Sequence, residues 1–90
     1  LIGEHDYDSG TINRAVIFPR EIARHALKNN AAAVILVHNH PSGDPSPSES
    51  DLRTTKIIKN ALNAVDITLH DHIIIAHDNY YSMRNHNVLN

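Results

Sequence analysis

The chain has 90 residues, with eight Lys plus Arg against ten Asp plus Glu, eight His, no Cys and a formal net charge of −2. That length supports one small domain, and the charge balance gives no basic footprint for nucleic acid. The lack of cysteine excludes disulfides and Cys-type zinc sites and fits a cytoplasmic protein; no apolar run approaches a membrane span and no signal peptide is visible.

Residues 1 to 18 read as mostly extended, with a turn around Asp8-Ser9-Gly10 and a strand near Ala15-Val16-Ile17-Phe18. Pro19 suits the first turn of a helix. That helix runs to about Asn29, with Ile22, Ala26 and Leu27 on one face. Glu21 is favourable in the first turn, and Asn29-Asn30 would end the helix. The run Ala32-Ala33-Val34-Ile35-Leu36-Val37 is short, apolar and β-branched, as a buried strand should be. A loop rich in Pro, Ser and Gly follows through Pro47. A second helix spans about Glu49 to Ala64, with the stripe Leu52, Thr55, Ile58, Leu62 and Val65 at three- and four-residue steps. Ile67 to Ala76 reads as a strand, His77-Asp78-Asn79 as a turn, and Tyr80 to Met83 as a short return strand. The tail, Arg84 to Asn90, is polar and weakly specified. Strands and helices alternate and a hairpin closes the chain, so a mixed sheet flanked by helices is expected.

The chemistry concentrates in His38-Asn39-His40-Pro41-Ser42-Gly43, with Ser48 and Asp51 beyond it. Histidines two apart on a strand point to the same side, so His38 and His40 leave the C-terminal end of the sheet together. Asn39 between them points to the opposite face. Pro41 and Gly43 break the chain, Gly43 supplying a backbone angle that other residues avoid. Ser48 can cap the next helix with Asp51 three residues on, a capping-box pattern; Asp51 can do this and bind metal. Two imidazoles and a carboxylate make three protein ligands. They leave one position for water, the arrangement of a catalytic rather than a closed structural zinc.

The spacing His-x-His, seven residues, Ser-x-x-Asp resembles the JAMM motif of the JAB/MPN metalloprotease superfamily. The segment HNHPSGDPSPS at 38 to 48 is similar to the RadC family almost residue for residue. Gly10-Thr11, Pro19-Arg20-Glu21, Asn30 through Leu36 and Asp71-His72 extend the likeness over essentially the whole chain. The resemblance implies an α/β domain of three layers, JAB/MPN-like and cytidine deaminase-like. It implies Zn2+ held by His38, His40 and Asp51, with Ser48 as the catalytic residue that helps hold an oxyanion. It also implies a glutamate general base on a strand upstream of the segment matching Leu1-Ile2, so the chain reads as an N-terminally truncated member lacking that strand. Glu4 is the nearest carboxylate but reads more simply as a solvated strand residue.

A second His-x-His, His70-Asp71-His72, has no Ser-x-x-Asp at matching spacing and reads as sheet structure. His5, His25, His77 and His86 read as surface groups. The leading expectation is a zinc-dependent peptidase or isopeptidase. The alternatives are a catalytically inactive zinc-binding interaction module and a DNA-associated accessory protein, the last resting only on the family's DNA-repair name. An exposed sheet edge would favour a weak homodimer.

Overall fold

The computed structural model describes the backbone of residues 6–8 and 11–13, and residues 18–89 in full. The expected strand near Ala15 to Ile17 and the residues Glu4 and His5 lie outside the described residues. In chain order the elements are β1 (Asp6–Asp8), β2 (Thr11–Asn13), α1 (Pro19–Lys28), β3 (Ala33–Asn39), α2 (Glu49–Asn63), β4 (Thr68–Ala76) and β5 (Asn79–Ser82). They form one mixed sheet in the order β1-β2-β3-β4-β5. β1 pairs antiparallel with β2, β2 and β4 flank β3 in parallel, and β5 returns antiparallel to β4.

Helix α1 starts where a proline without an N–H costs nothing, and its first turn carries Glu21 and its last Lys28, both favourable to the helix dipole. Asn30, with φ of 53°, takes the left-handed turn that stops it. Two crossovers that both advance in the order β2, β3, β4 place both helices on one face when each is right-handed. The core agrees. Ile22 and Ala26 of α1, Val34 and Leu36 of β3, and Ile58 and Leu62 of α2 form one buried cluster with Ile67 and Leu69. The α/β class with a mixed sheet is the one expected; among the described residues it is built as helices on sheet.

The helical stripes are narrower than their spacing predicts. Leu27 is 51% exposed, Leu52 36% and Val65 38%. Leu27 and Leu52 lie in the end turns of their helices and Val65 beyond the end of α2, so only Ile22, Ala26, Thr55, Ile58 and Leu62 of the stripes become buried. The tail is better ordered than its composition suggests: Val88 N–H bonds Met83 C=O at 3.1 Å, and Leu89 packs against the core.

One irregularity decides which β4 residues face the helices. Pairing with β3 runs Val34 to Leu69 and then Ile35 to Asp71, so His70 is an extra residue in β4. Leu69 and His72 therefore share the helix-facing side, and His70 is left exposed. A regular strand would have put His70 and His72 on the same face.

Candidate metal centre

His38 is the second-last residue of β3, on the same side as buried Leu36 and therefore beneath α2. His40 follows just past the strand, its N–H bonded to Ile75 C=O of β4 at 2.8 Å. The third group comes from the first turn of α2. Ser48 caps that helix: its Oγ accepts from Asp51 N–H at 3.0 Å, and Asp51 Oδ2 accepts from Ser48 N–H at 2.9 Å. This reciprocal pair turns the Asp51 carboxylate back over the strand end. Asp51 Oδ1 lies 3.6 Å from His38 Nδ1, and Oδ2 lies 3.1 Å from His40 Nε2. One ligand atom from each of His38, His40 and Asp51 falls within 4.8 Å of the others. The three residues singled out by spacing are thus brought together, and Asp51 serves helix cap and cluster at once.

The proton positions follow from the partners. His40 Nδ1 is 3.1 Å from Asp44 C=O, an acceptor, so Nδ1 carries hydrogen and donates. In the neutral ring Nε2 is then a bare lone pair, and it faces a carboxylate oxygen. His38 Nδ1 is buried with no hydrogen-bond partner. Burial first, and repulsion by His40, lower the His38 pKa although Asp51 opposes them, which favours the neutral ring. The His40 lone pair, 3.1 Å from a carboxylate oxygen, needs a proton or a cation between the two. Two neutral imidazoles and an anionic carboxylate are a fitting donor set for a divalent metal. Burial works to raise the Asp51 pKa, but the Ser48 hydrogen bonds and the two imidazoles outweigh it and hold the carboxyl below its usual range.

The loop between ligands and helix is shaped locally. Asp44 Oδ1 accepts from Ser46 N–H at 3.0 Å, an Asx turn that also lowers the Asp44 pKa. Gly43 sits at φ of 88°, as its place after Pro41 suggests.

Two residues behind the cluster carry more than the sequence reading assigned them. Thr55 Oγ1 donates to Asp51 C=O at 2.6 Å and accepts from His72 Nδ1 at 2.7 Å. Since the Thr55 hydrogen goes to the carbonyl, His72 must be protonated on Nδ1, and its buried Nε2 has no partner. The His72 ring stacks on His38 with centroids 6.0 Å apart. His72 is a sheet residue, as expected, and it also backs the cluster through His38 and Thr55. The available signal was Thr55 itself, a hydroxyl on an apolar stripe one turn after Asp51. Which histidine it would meet depended on the bulge at His70.

Burial first, with repulsion from His38, brings the His72 pKa down to about 4. An unfolded histidine titrates near ~6.5, so between these values the unfolded chain binds more protons than the folded one. Stability contributed by neutral His72 is therefore complete above about pH 6.5 and is lost as pH falls toward 4, by roughly 3 kcal/mol at most. Urea unfolding of the chelator-treated domain from pH 7.5 to 4.5 should show this slope, and His72→Gln should flatten it. An equally steep profile in the variant would assign the acid loss elsewhere.

A family model described as RadC-like JAB domain matches residues 1–88. A UPF0758 protein of Ruegeria pomeroyi is 52% identical over 75 residues, covering 83% of this chain and 34% of that protein. A UPF0758 protein of Clostridium novyi is 45% identical over 89 residues, covering 99% of this chain and 39% of that protein. The chain therefore spans little more than a third of the length of the curated relatives it matches. Among the described residues, no helix is long and apolar enough to cross a membrane.

Proposed function

Because this chain belongs to the RadC-like JAB domain family, we propose that His38, His40 and Asp51 hold a zinc ion and that the domain is the metal-binding core of a hydrolase for amide or isopeptide bonds. The observation that carries the proposal is the convergence of His38 Nδ1, which has no hydrogen-bond partner, and His40 Nε2 on the Asp51 carboxylate, whose Oδ2 accepts from the Ser48 N–H. Zinc bound there would polarise a substrate carbonyl and make water a nucleophile near neutral pH.

The rest of the chemistry belongs to the chain. Asp44 C=O fixes His40 with Nε2 free to coordinate, the outer partner that ligating histidines ordinarily have. Asp51 is held in place by the Ser48 cap, so ligation does not have to order it. Ser48 Oγ uses a lone pair on Asp51 N–H, which leaves its hydrogen for the carboxylate or for an oxyanion developing on the substrate. The carboxylate that would accept a proton from water is not assigned among the described residues; Glu4, the N-terminal candidate, lies outside them.

The test is a panel of fluorogenic peptides and isopeptides offered to zinc-loaded protein, with chelator as control. Cleavage should be chelator-sensitive, and Ser48→Ala should lower kcat by about 10²–10³-fold with little change in KM. The lost cap should cost only about 1 kcal/mol of stability. A zinc-loaded protein of the relatives' full length that cleaves nothing in the panel would remove the hydrolase reading and leave a metal-binding module.

A further inference from the structure

The loop that follows His40 meets the β4–β5 turn where Gly43 faces His77. Gly43, at φ of 88°, presents its bare Cα to the imidazole of His77. A Cβ at residue 43 would lie 2.7 Å from His77 Cδ2 and 3.1 Å from Nε2, closer than a side chain tolerates. His77 itself takes a left-handed backbone with φ of 52°, which a residue other than glycine adopts only when its surroundings hold it there. So two unusual backbones meet, and the contact between them is a ring against a glycine.

The contact bears on the metal cluster through His40. The loop begins tied to β4 through His40 N–H to Ile75 C=O at 2.8 Å, two residues before His77 in the chain. Gly43 N–H returns to His40 C=O at 3.4 Å. The next residue, Asp44, supplies the carbonyl that accepts from His40 Nδ1 and orients the ring. A shift of Gly43 therefore moves the acceptor that fixes the tautomer and direction of His40. His77 is not part of the His38–His40–Asp51 group.

We propose that His77 is a positioning residue for the metal centre: its ring, seated on Gly43, clamps the loop that aims His40. This rests on the metal-binding reading above, so the test needs one arm that does not use metal. Zinc affinity by chelator competition, and amide exchange of residues 42 to 44 in metal-free protein, are measured for wild type, His77→Ala, His77→Phe, Gly43→Ala and the Gly43→Ala/His77→Ala double variant. Outer partners that hydrogen-bond a ligand are worth about 10–100-fold in affinity. A packing contact one step further out should be worth less, so His77→Ala should weaken zinc about three- to tenfold and speed loop exchange, with global unfolding by urea unchanged. His77→Phe, which keeps a flat ring without nitrogens, should restore both. Gly43→Ala should be worse than His77→Ala, because residue 43 then meets both the ring and a left-handed backbone. In the His77→Ala background its penalty should shrink at least threefold, since the ring is gone and only the backbone strain remains. Wild-type affinity and exchange in His77→Ala, or an equal Gly43→Ala penalty in both backgrounds, would overturn the clamp. If wild type binds no zinc, the metal reading fails, and the exchange arm by itself decides the clamp.

Discussion

Replacing His38 and His40 together by alanine should abolish zinc binding, whereas His70→Ala should leave one zinc per chain. Metal content after gel filtration and competition with a chromophoric chelator measure both. The contrast comes from placement: His38 and His40 share the face under α2, while the bulge leaves His70 exposed on β4. Asp51→Asn should weaken binding less completely, because the amide oxygen can still cap the helix but is a neutral, poorer ligand. Affinity should fall as pH drops and the imidazoles protonate. Zinc at a hundredfold excess over its Kd should stabilise the wild-type domain by about 2.7 kcal/mol. For a chain of this size that corresponds to a rise in Tm of roughly 10 °C or more. The same addition should leave the His38/His40 double variant unmoved. Full metal content in that variant would refute the assignment.

Asp71→Ala should be the most destabilising change away from the metal cluster. Its carboxylate is buried and accepts from three donors: His72 N–H at 2.7 Å, Ser82 Oγ–H at 2.5 Å and Arg84 N–H at 3.0 Å. These tie β4 to the end of β5 and to the start of the tail. Alanine would strand all three donors where water does not easily replace the carboxylate. Each stranded buried donor costs about 1–3 kcal/mol, so a loss of roughly 3 kcal/mol or more is expected in urea unfolding. Ser82→Ala leaves Asp71 Oδ2 and Asn85 N–H without their partner but keeps both bonds to Oδ1, and should cost less, about 1–3 kcal/mol. If Asp71→Ala lost less stability than Ser82→Ala, the carboxylate would not be the junction it is here taken to be. Asp71 lies on the sheet face away from the helices, paired with Ile35, so zinc affinity should suffer only through stability.

Local chemistry made several features legible in advance. Pro19 at a helix start and Asn29-Asn30 at its end are read from backbone preferences alone, and α1 lies between them. Ser48 and Asp51 form their capping box within one turn, so three residues of spacing suffice to foresee it. The facing of His38 and His40 follows from the two-residue period of a strand that stays regular there. By contrast, the apolar rims Leu27, Leu52 and Val65 stay half exposed because burial depends on what sits opposite, and spacing does not encode that.

The order of elements from Pro19 onward, the helix caps and the grouping of His38, His40 and Asp51 were therefore legible in the chain, since each arises from contacts over a few residues or from strand periodicity. Long-range packing settled the rest. One extra residue at His70 reversed the facing of β4 and put His72 beneath His38, where Thr55 meets it across 17 positions of chain. It likewise brought His77 onto Gly43, two turns that no local preference connects. A bulge shifts every side chain beyond it to the other face, and whether it forms is settled by which arrangement satisfies the buried carboxylate of Asp71 and packs Leu69 and His72 together under the helices.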